Sequence, residues 1–414
     1  MANQNVVVGL DVGTTKVAVC VGQISEGLIN ILALTKVANS GLRKGVVVDI
    51  EECVSAISSA IEQAERISGV QLDSCVASIG SAESISTISK GVIAVSRPDG
   101  EINKLDVDRV IEAAKAIALP PNKEILHVIP RQFIIDGQEG VKDPNGMTGI
   151  RLETEVLVIG ETSSCVKNLT KCITQSGLNL HNLSFSPIAT AKALLNKKQK
   201  ENGVILLDIG GGTTSIAIYE EGSIIHTGVI PIGSMHITND LAIGLRIPLE
   251  AAEKIKLQYG NAVSADSKKN EMIDLAKFDP TEKQKIDKNI INEIIEARLK
   301  EMFSLIKDEL KAIGKDGMLP AGVILTGGGS MLEGIIELAK SELHLPVQIG
   351  NCSANVTGMV DKLDHPVYAT SIGLMLEGLE DQKPSYNPKF NLKVPKNLTS
   401  LSDKVKDILK QLLP

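Results

Sequence analysis

The chain has 414 residues, more than one ordinary hydrophobic core accommodates, so we expect at least two domains. Its 43% hydrophobic and 22% charged residues are typical of a globular protein, and a net charge of −7 without any Trp disfavours nucleic acid as a partner. The six cysteines form no CxxC pair, and neither a signal-peptide pattern nor a membrane-length apolar run occurs. A cytoplasmic protein without a zinc site is therefore expected.

The first motif in chain order, NVVVGLDVGTTKVAVCVGQ, has the pattern of a strand, a turn and a second strand. Its apolar run predicts a buried strand that ends near Asp11, and Gly13 then leaves backbone N–H groups open to an anion. Thr14 and Thr15 add hydroxyl donors, and Lys16 adds a positive charge. These residues predict a phosphate-binding loop.

The same pattern returns about half a chain later in VILLDIGGGTTSIAIYEEGSII, which predicts two related halves. Asp208 takes the place of Asp11. The loop residues that follow are Gly210, Gly211, Gly212, Thr213 and Thr214. Two carboxylates that face each other repel unless a cation lies between them, and Mg²⁺ suits them because it keeps several of its waters. A magnesium nucleotide between two domains is the resulting hypothesis.

A long stretch near residues 282–314 has helical spacing of apolar residues, and a third glycine loop follows it. The predicted core positions of the helix are Ile290, Ile291, Ile294, Ile295, Leu299, Met302, Phe303 and Leu310. In VILTGGGSML, residues 323–325 predict a buried strand, and a helix is expected from Met331. Gly327, Gly328 and Gly329 would let a base or ribose lie on the backbone, although a simple helix-entry turn explains them equally well.

The last residues change in composition. Residues 381–397 contain three prolines and many polar residues, which predicts a linker. Residues 398–414 place apolar and charged residues on opposite helical faces, which predicts an amphipathic helix. Its apolar face comprises Leu398, Leu401, Val405, Ile408, Leu409, Leu412 and Leu413. Such a helix is too short to span a bilayer but suits its surface, and docking onto a protein is the alternative.

The order DVGTTK, DIGGGTT and LTGGGS resembles the superfamily of actin, sugar kinases and heat-shock chaperone ATPases. The resemblance implies an α/β, actin-like (ribonuclease H-like) two-domain ATPase fold, with ATP and Mg²⁺ bound by the three loops. It also implies connecting helices near residues 186–195 and 368–375. A P-loop and a Rossmann fingerprint are both missing from the sequence.

Longer segments, among them VIPRQFIIDGQEGVKDPNGMTGIRLE and IPIGSMHITNDLAIGLRIPLEAAEKIKLQYGNA, resemble the FtsA family of bacterial cell-division proteins. This resemblance covers about residues 5–380 and implies a family-specific 1C insertion. The implied parts are domain IA (5–83 and 164–202), subdomain 1C (84–163), domain IIA with its C-terminal connecting helix (203–232 and 321–380) and subdomain IIB (233–320).

The same resemblance implies a role for individual residues. Glu253 and Lys256, three apart on a helix, would contact ribose and adenine; a surface ion pair is the alternative. Asp11 and Asp208 would hold Mg²⁺ through water. Ser186 stands where relatives carry an acidic or amide residue that orients the attacking water, and a serine is no base at neutral pH. ATP binding with slow or absent hydrolysis is therefore expected.

The family further implies partners and a location. Subdomain IIB would bind the C-terminal tail of FtsZ, subdomain 1C would bind downstream division proteins, and the chain would form filaments. Residues 398–414 would anchor it to the cytoplasmic face of the cell membrane at the division site. A pilus-assembly ATPase and a small-molecule kinase of the same superfamily are the alternatives.

Overall fold

Both predicted strand–turn–strand motifs begin a mixed β-sheet in the computed structural model, which describes residues 6–25, 27–116, 119–264, 271–279, 284–352 and 356–382. The first half starts with β1 (Val6–Val12), β2 (Lys16–Ser25), β3 (Leu28–Ala38), β4 (Leu42–Arg43), β5 (Val46–Val47), α1 (Ile50–Ser68) and β6 (Ser74–Ile79). β1 pairs with β2 in the antiparallel sense and with β6 in the parallel sense. Because β1 has neighbours on both sides, its apolar run is buried almost throughout.

The chain then forms a separate antiparallel sheet, and we call residues 85–162 the inserted subdomain. Its elements are β7 (Ile85–Ala94), α2 (Lys104–Lys115), β8 (Lys123–Ile135), β9 (Gln138–Val141) and β10 (Arg151–Thr162), with strand order β7-β10-β8-β9. α2 packs closely on β7, since a Cβ at Gly91 would lie 2.2 Å from the carbonyl oxygen of Val110.

After the insertion the chain completes the first sheet and builds the second. The elements are α3 (Ser163–Gln175), β11 (Asn179–Phe185), α4 (Ser186–Leu194), α5 (Lys197–Asn202), β12 (Val204–Ile209), β13 (Thr214–Glu220), β14 (Ser223–Ile230), α6 (Ser234–Leu245), α7 (Leu249–Tyr259), β15 (Met272–Asp274), β16 (Lys285–Asp287), α8 (Lys288–Ala312), β17 (Val323–Thr326), α9 (Ile335–Leu343), β18 (Val347–Ile349), β19 (Val356–Thr357), α10 (Val360–Leu363) and α11 (Ala369–Gln382).

The two main sheets share one topology. Their strand orders are β11-β6-β1-β2-β3-β19 and β14-β13-β12-β17-β18. In each sheet the strand that carries the motif aspartate has an antiparallel hairpin on one side and parallel strands on the other. The predicted pair of related halves is confirmed.

Two details differ from the sequence prediction. Ile290 is 46% exposed, because neighbouring positions of α8 point in different directions and Ile291 takes the core position. The helix after the third glycine loop begins at Ile335 instead of Met331. Residues Gly328–Met331 form a 3₁₀ turn, and Gly334 then adopts a left-handed conformation (φ 77°) that interrupts the helix.

The two predicted connecting helices are confirmed as α4 and α11, and they cross in close contact. A Cβ at Gly373 would lie 1.8 Å from the carbonyl oxygen of Ala189. Near this contact, the hydroxyl oxygens of Thr190 and Thr370 are 2.9 Å apart. The halves therefore meet where the backbones of α4 and α11 touch.

Residues 1–379 form one unit, and the rest of the chain forms a second unit. The predicted linker and amphipathic helix, from residue 383 onward, lie outside the described residues. Within the described part of the chain, no helix has both the length and the apolar composition that a bilayer crossing requires. The domain limits given above stay predictions.

We expect Gly373→Ala to lower the free energy of unfolding by on the order of 2 kcal/mol, because overpacking outweighs the helix propensity that alanine gains. Denaturant unfolding measures the loss. Gly228→Ala is the control, since the nearest atom to its added Cβ is 3.8 Å away. Equal stability of the two variants would show that the α4–α11 contact is looser than described.

Candidate functional site

A cavity of about 420 Å³ opens where the central strands β1 and β12 end. The predicted residues that line it are Asp11, Gly13, Thr14, Thr15, Lys16, Ser186, Asp208, Gly210, Gly211, Thr213, Gly327 and Gly328. Residues from three separate glycine loops and from the start of α4 thus converge on one space. This is the place where α/β sheets generally bind ligands, at the carboxyl ends of the parallel strands.

The first two loops have the same backbone turn. In the first loop, the N–H of Gly13 donates to the carbonyl of Lys16 over 2.9 Å. In the second, the N–H of Gly210 donates to the carbonyl of Thr213 over the same 2.9 Å. The repeat detected in the sequence is therefore also a repeat of local geometry.

These loops face each other without room for further side chains. A Cβ at Gly211 would lie 2.4 Å from Cγ2 of Thr15, and one at Gly212 would lie 2.8 Å from Oγ1 of Thr14. In the third loop, a Cβ at Gly327 would lie 2.3 Å from Oδ1 of Asp208, and its φ of 82° also favours glycine. The three loops can therefore come together only if these positions carry no side chain.

Asp11 is held from two sides. Nζ of Lys16 lies 2.6 Å from its Oδ2, and Oγ of Ser78 donates to its Oδ1 over 2.9 Å. The same serine oxygen accepts from the N–H of Val12 over 3.2 Å. Ser78 is the last residue but one of β6, the parallel neighbour of β1, so the sheet itself fixes the direction of the carboxylate.

The surroundings of Asp208 disfavour its charged form. Its burial and the nearby charge of Asp11 raise its pKa to about 6. The hydroxyl of Thr370 donates to Oδ2 over 3.2 Å, and the Thr190 hydroxyl lies next in line. Because both threonines belong to the helix crossing, the position of Asp208 depends on the contact between α4 and α11.

The carboxylates of Asp11 and Asp208 fit a hydrated cation better than a dehydrated one. In the described ranges, no three His, Cys, Asp or Glu side chains cluster tightly enough to enclose a metal. Asp11 and Asp208 would therefore hold Mg²⁺ with water and ligand phosphate completing its coordination, which is the usual habit of this ion. The anion cradle formed by the glycine loops and Lys16 supplies the matching site for phosphate.

Five predicted residues do not line the cavity: Gly212, Thr214, Glu253, Lys256 and Gly329. The hydroxyl of Thr214 donates instead to the carbonyl of Ile232 over 2.8 Å. Gly329 packs against the end of β12. Thr214 and Gly329 thus support the loops from the side away from the cavity.

The predicted α7 pair has an unexpected environment. Lys256 is only 6% exposed, and its Nζ lies 2.6 Å from Oε2 of Glu253. Its Nζ also donates to Thr238 over 2.8 Å and to the carbonyl of Ser234 over 3.3 Å. The two residues thus form an ion pair, as in the alternative, but only the Glu253 side chain is substantially exposed, at 41%. Contact with ribose and adenine stays a prediction. Since Ser234 lines the cavity, the pair supports the cavity wall at the start of α6.

Several lining residues were not foreseen, among them Lys36, Ser78, Gly80, Ser234 and Thr370. Ser78 and Gly80 had an available signal, because they lie at the end of a strand parallel to β1. Lys36 and Ser234 belong to none of the predicted loops, and only the folding of the chain brings them to the cavity.

Comparisons with known proteins support a single family. A family model described as "Cell division protein FtsA" matches residues 205–373, and one described as "SHS2 domain inserted in FTSA" matches residues 82–160. The second match covers the inserted subdomain. Cell division protein FtsA of Pseudomonas aeruginosa is 38% identical over 91% of this chain and 90% of its own length. The FtsA of Borreliella burgdorferi is 37% identical over 98% of both chains.

Solved structures agree on the fold. A chain of the PilM–PilN type IV pilus biogenesis complex superposes with a TM-score of 0.67 at 18% identity, covering 90% of this chain and 98% of that one. MreB5 of Spiroplasma citri bound to ADP gives 0.55 at 14% identity, covering 92% and 99%. The expected actin-like α/β fold is confirmed, and with this sequence identity to cell-division relatives the chain belongs to the FtsA family.

Proposed function

We propose that this protein binds Mg-ATP between its two halves and acts as a filament-forming cell-division protein on the cytoplasmic face of the membrane, where it holds FtsZ. One observation carries the nucleotide part: two equivalent glycine turns face each other, each beside an aspartate. A similar fold in MreB5 of Spiroplasma citri holds ADP, which supports the same ligand class here. The family supports the division role.

We propose slow or absent hydrolysis. The hydroxyl of Ser186 lines the cavity, but it donates to the carbonyl of Ile79 over 3.1 Å. A serine engaged in this way orients water poorly and does not accept its proton at neutral pH. Asp11 and Asp208 remain the water-positioning groups, acting through the magnesium shell.

The helical layer of the second half supports a partner surface. Ile243 on α6 and Leu257 on α7 are 77% and 75% exposed, and Leu249 is 53% exposed. Exposed apolar side chains of this size favour protein contact. We assign this surface, in predicted subdomain IIB, to the FtsZ tail, and the inserted subdomain to downstream division proteins. Membrane attachment is assigned to residues 398–414.

We expect Gly211→Val and Asp208→Ala each to weaken binding of Mg-ATP at least about tenfold, or roughly 1.4 kcal/mol, while the circular dichroism spectrum stays unchanged. The valine would collide with Thr15, and the alanine would remove a magnesium-holding carboxylate. Isothermal titration measures the affinity. Gly228→Val is the matched control outside the cavity. Parent-like affinity in both site variants would refute the site.

Without nucleotide, we expect Asp208→Asn to stabilise the chain on the order of 1 kcal/mol at pH 8, but not near pH 4. The pKa of Asp208 is about 6 in the folded state, above the ordinary value of 3.8, so protonation of this carboxyl favours the folded state. The stabilisation by this proton is lost as the pH rises through 6. Asparagine stays neutral throughout. Thermal unfolding at both pH values measures the difference. An equal gain at both values would contradict this electrostatic account.

We expect the full chain, and not a truncation ending at Leu379, to sediment with anionic liposomes in the presence of Mg-ATP. Within the predicted tail helix, Ile408→Asp should abolish sedimentation because it puts a charge on the apolar face. Gln411→Asp adds the same charge to the polar face and serves as the control. If the two substitutions act alike, or the truncated chain pellets equally, the tail is not the anchor.

A further inference from the structure

A buried carboxylate joins the two connections of the inserted subdomain. Glu161, at the end of β10, has no exposed surface. It accepts four hydrogen bonds: from Oγ and N–H of Ser81 over 2.9 and 3.2 Å, from Oγ of Ser84 over 2.6 Å, and from the N–H of Thr162 over 2.8 Å. Four donors offset the cost of burying this charge. The chain that enters the subdomain and the chain that leaves it are thus fastened together.

The entry connection, the segment 80–84 that precedes β7, is also part of the cavity wall. Gly80, directly before Ser81, lines the cavity. A Cβ at Gly45, another lining residue, would lie 2.3 Å from the carbonyl oxygen of Gly80. The N–H of Ala82 donates to the carbonyl of Lys44 over 3.4 Å. Movement of the entry connection therefore moves the wall.

A second contact reaches the start of α4. Nε2 of His127, on β8, accepts from the N–H of Phe185 over 2.9 Å. Burial lowers the pKa of this imidazole to about 4, so the ring is neutral near pH 7 and Nε2 is free to accept. The next residue, Ser186, lines the cavity. The inserted subdomain thus fixes the backbone from which Ser186 projects.

The inserted subdomain touches the second half as well. Oγ of Ser86, on β7, donates to the carbonyl of Thr227 over 2.6 Å. Oγ of Ser223 donates to the carbonyl of Arg131 on β8 over 3.2 Å. Both Ser223 and Thr227 belong to β14, the edge strand of the second sheet. One small sheet is therefore bonded to both halves that enclose the cavity.

We propose that His127, together with Glu161, is a positioning residue of the nucleotide cleft. Through these residues, binding of a partner to the inserted subdomain changes the affinity of the cleft for nucleotide, and bound nucleotide changes the affinity of the subdomain for the partner. This inference rests on the proposed nucleotide binding. The coupling is reciprocal by thermodynamic necessity: a partner that shifts the inserted subdomain shifts the wall at Gly80 and Ser186, and a nucleotide that moves this wall shifts the subdomain.

The test uses the full chain and the dissociation rate of a fluorescent ATP analogue with Mg²⁺. His127→Leu removes the acceptor and should change the rate at least fivefold. His127→Gln keeps a side-chain acceptor and should restore a rate close to that of the parent. His181→Leu makes the same substitution at an exposed position of neighbouring β11 and should have no effect.

Hydrogen exchange of the unmodified chain provides a second readout that no folding defect disturbs. Saturation with the analogue should alter the protection of amides in β8 and β10, well beyond the residues that line the cavity. If the parent binds no nucleotide, the proposed function itself fails. If the parent binds, but His127→Leu matches it or β8 and β10 stay unchanged, the coupling alone is overturned.

Discussion

The site depends on bringing two carboxylates together inside the protein, an arrangement that opposes folding. Asp11 and Asp208 repel each other, and burial of Asp208 together with this repulsion raises its pKa. Lys16 and Ser78 offset the repulsion on one side, and the threonines of the helix crossing offset it on the other. A divalent cation would relieve the remainder, so the same repulsion that weakens the empty protein would favour the proposed magnesium nucleotide.

Local features of the site were predictable from the sequence, because a strand, a glycine turn and a hairpin are encoded within about twenty residues. The repeat around Asp11 and Asp208 and the three loops follow from such short patterns, whereas the connecting helices were implied by the resemblance to actin-like ATPases. Contacts between distant segments were not predictable. Burial of Lys256 depends on Ser234 and Thr238 of α6, and Gly334, which delays the start of α9, packs against Asn261.

The inserted subdomain has more than a peripheral place in this arrangement. Its sheet contacts the first half through Glu161 and His127 and the second half through Ser86. In sequence these residues give no sign of a shared role, since a serine, a glutamate and a histidine in strands are ordinary. Their connection appears only when the chain's entry and exit points are seen to border the cavity.

The bare contact between Gly373 and Ala189 has a mechanical consequence. Two helices whose backbones touch cannot slide past each other without steric clashes, but they can rotate about the point of contact. Such a crossing acts as a pivot, and displacement about a pivot grows with distance from it. The glycine loops beside the crossing would move little, whereas elements far from the crossing would move most. A small rotation at the crossing would thus become a large displacement at surfaces far from it.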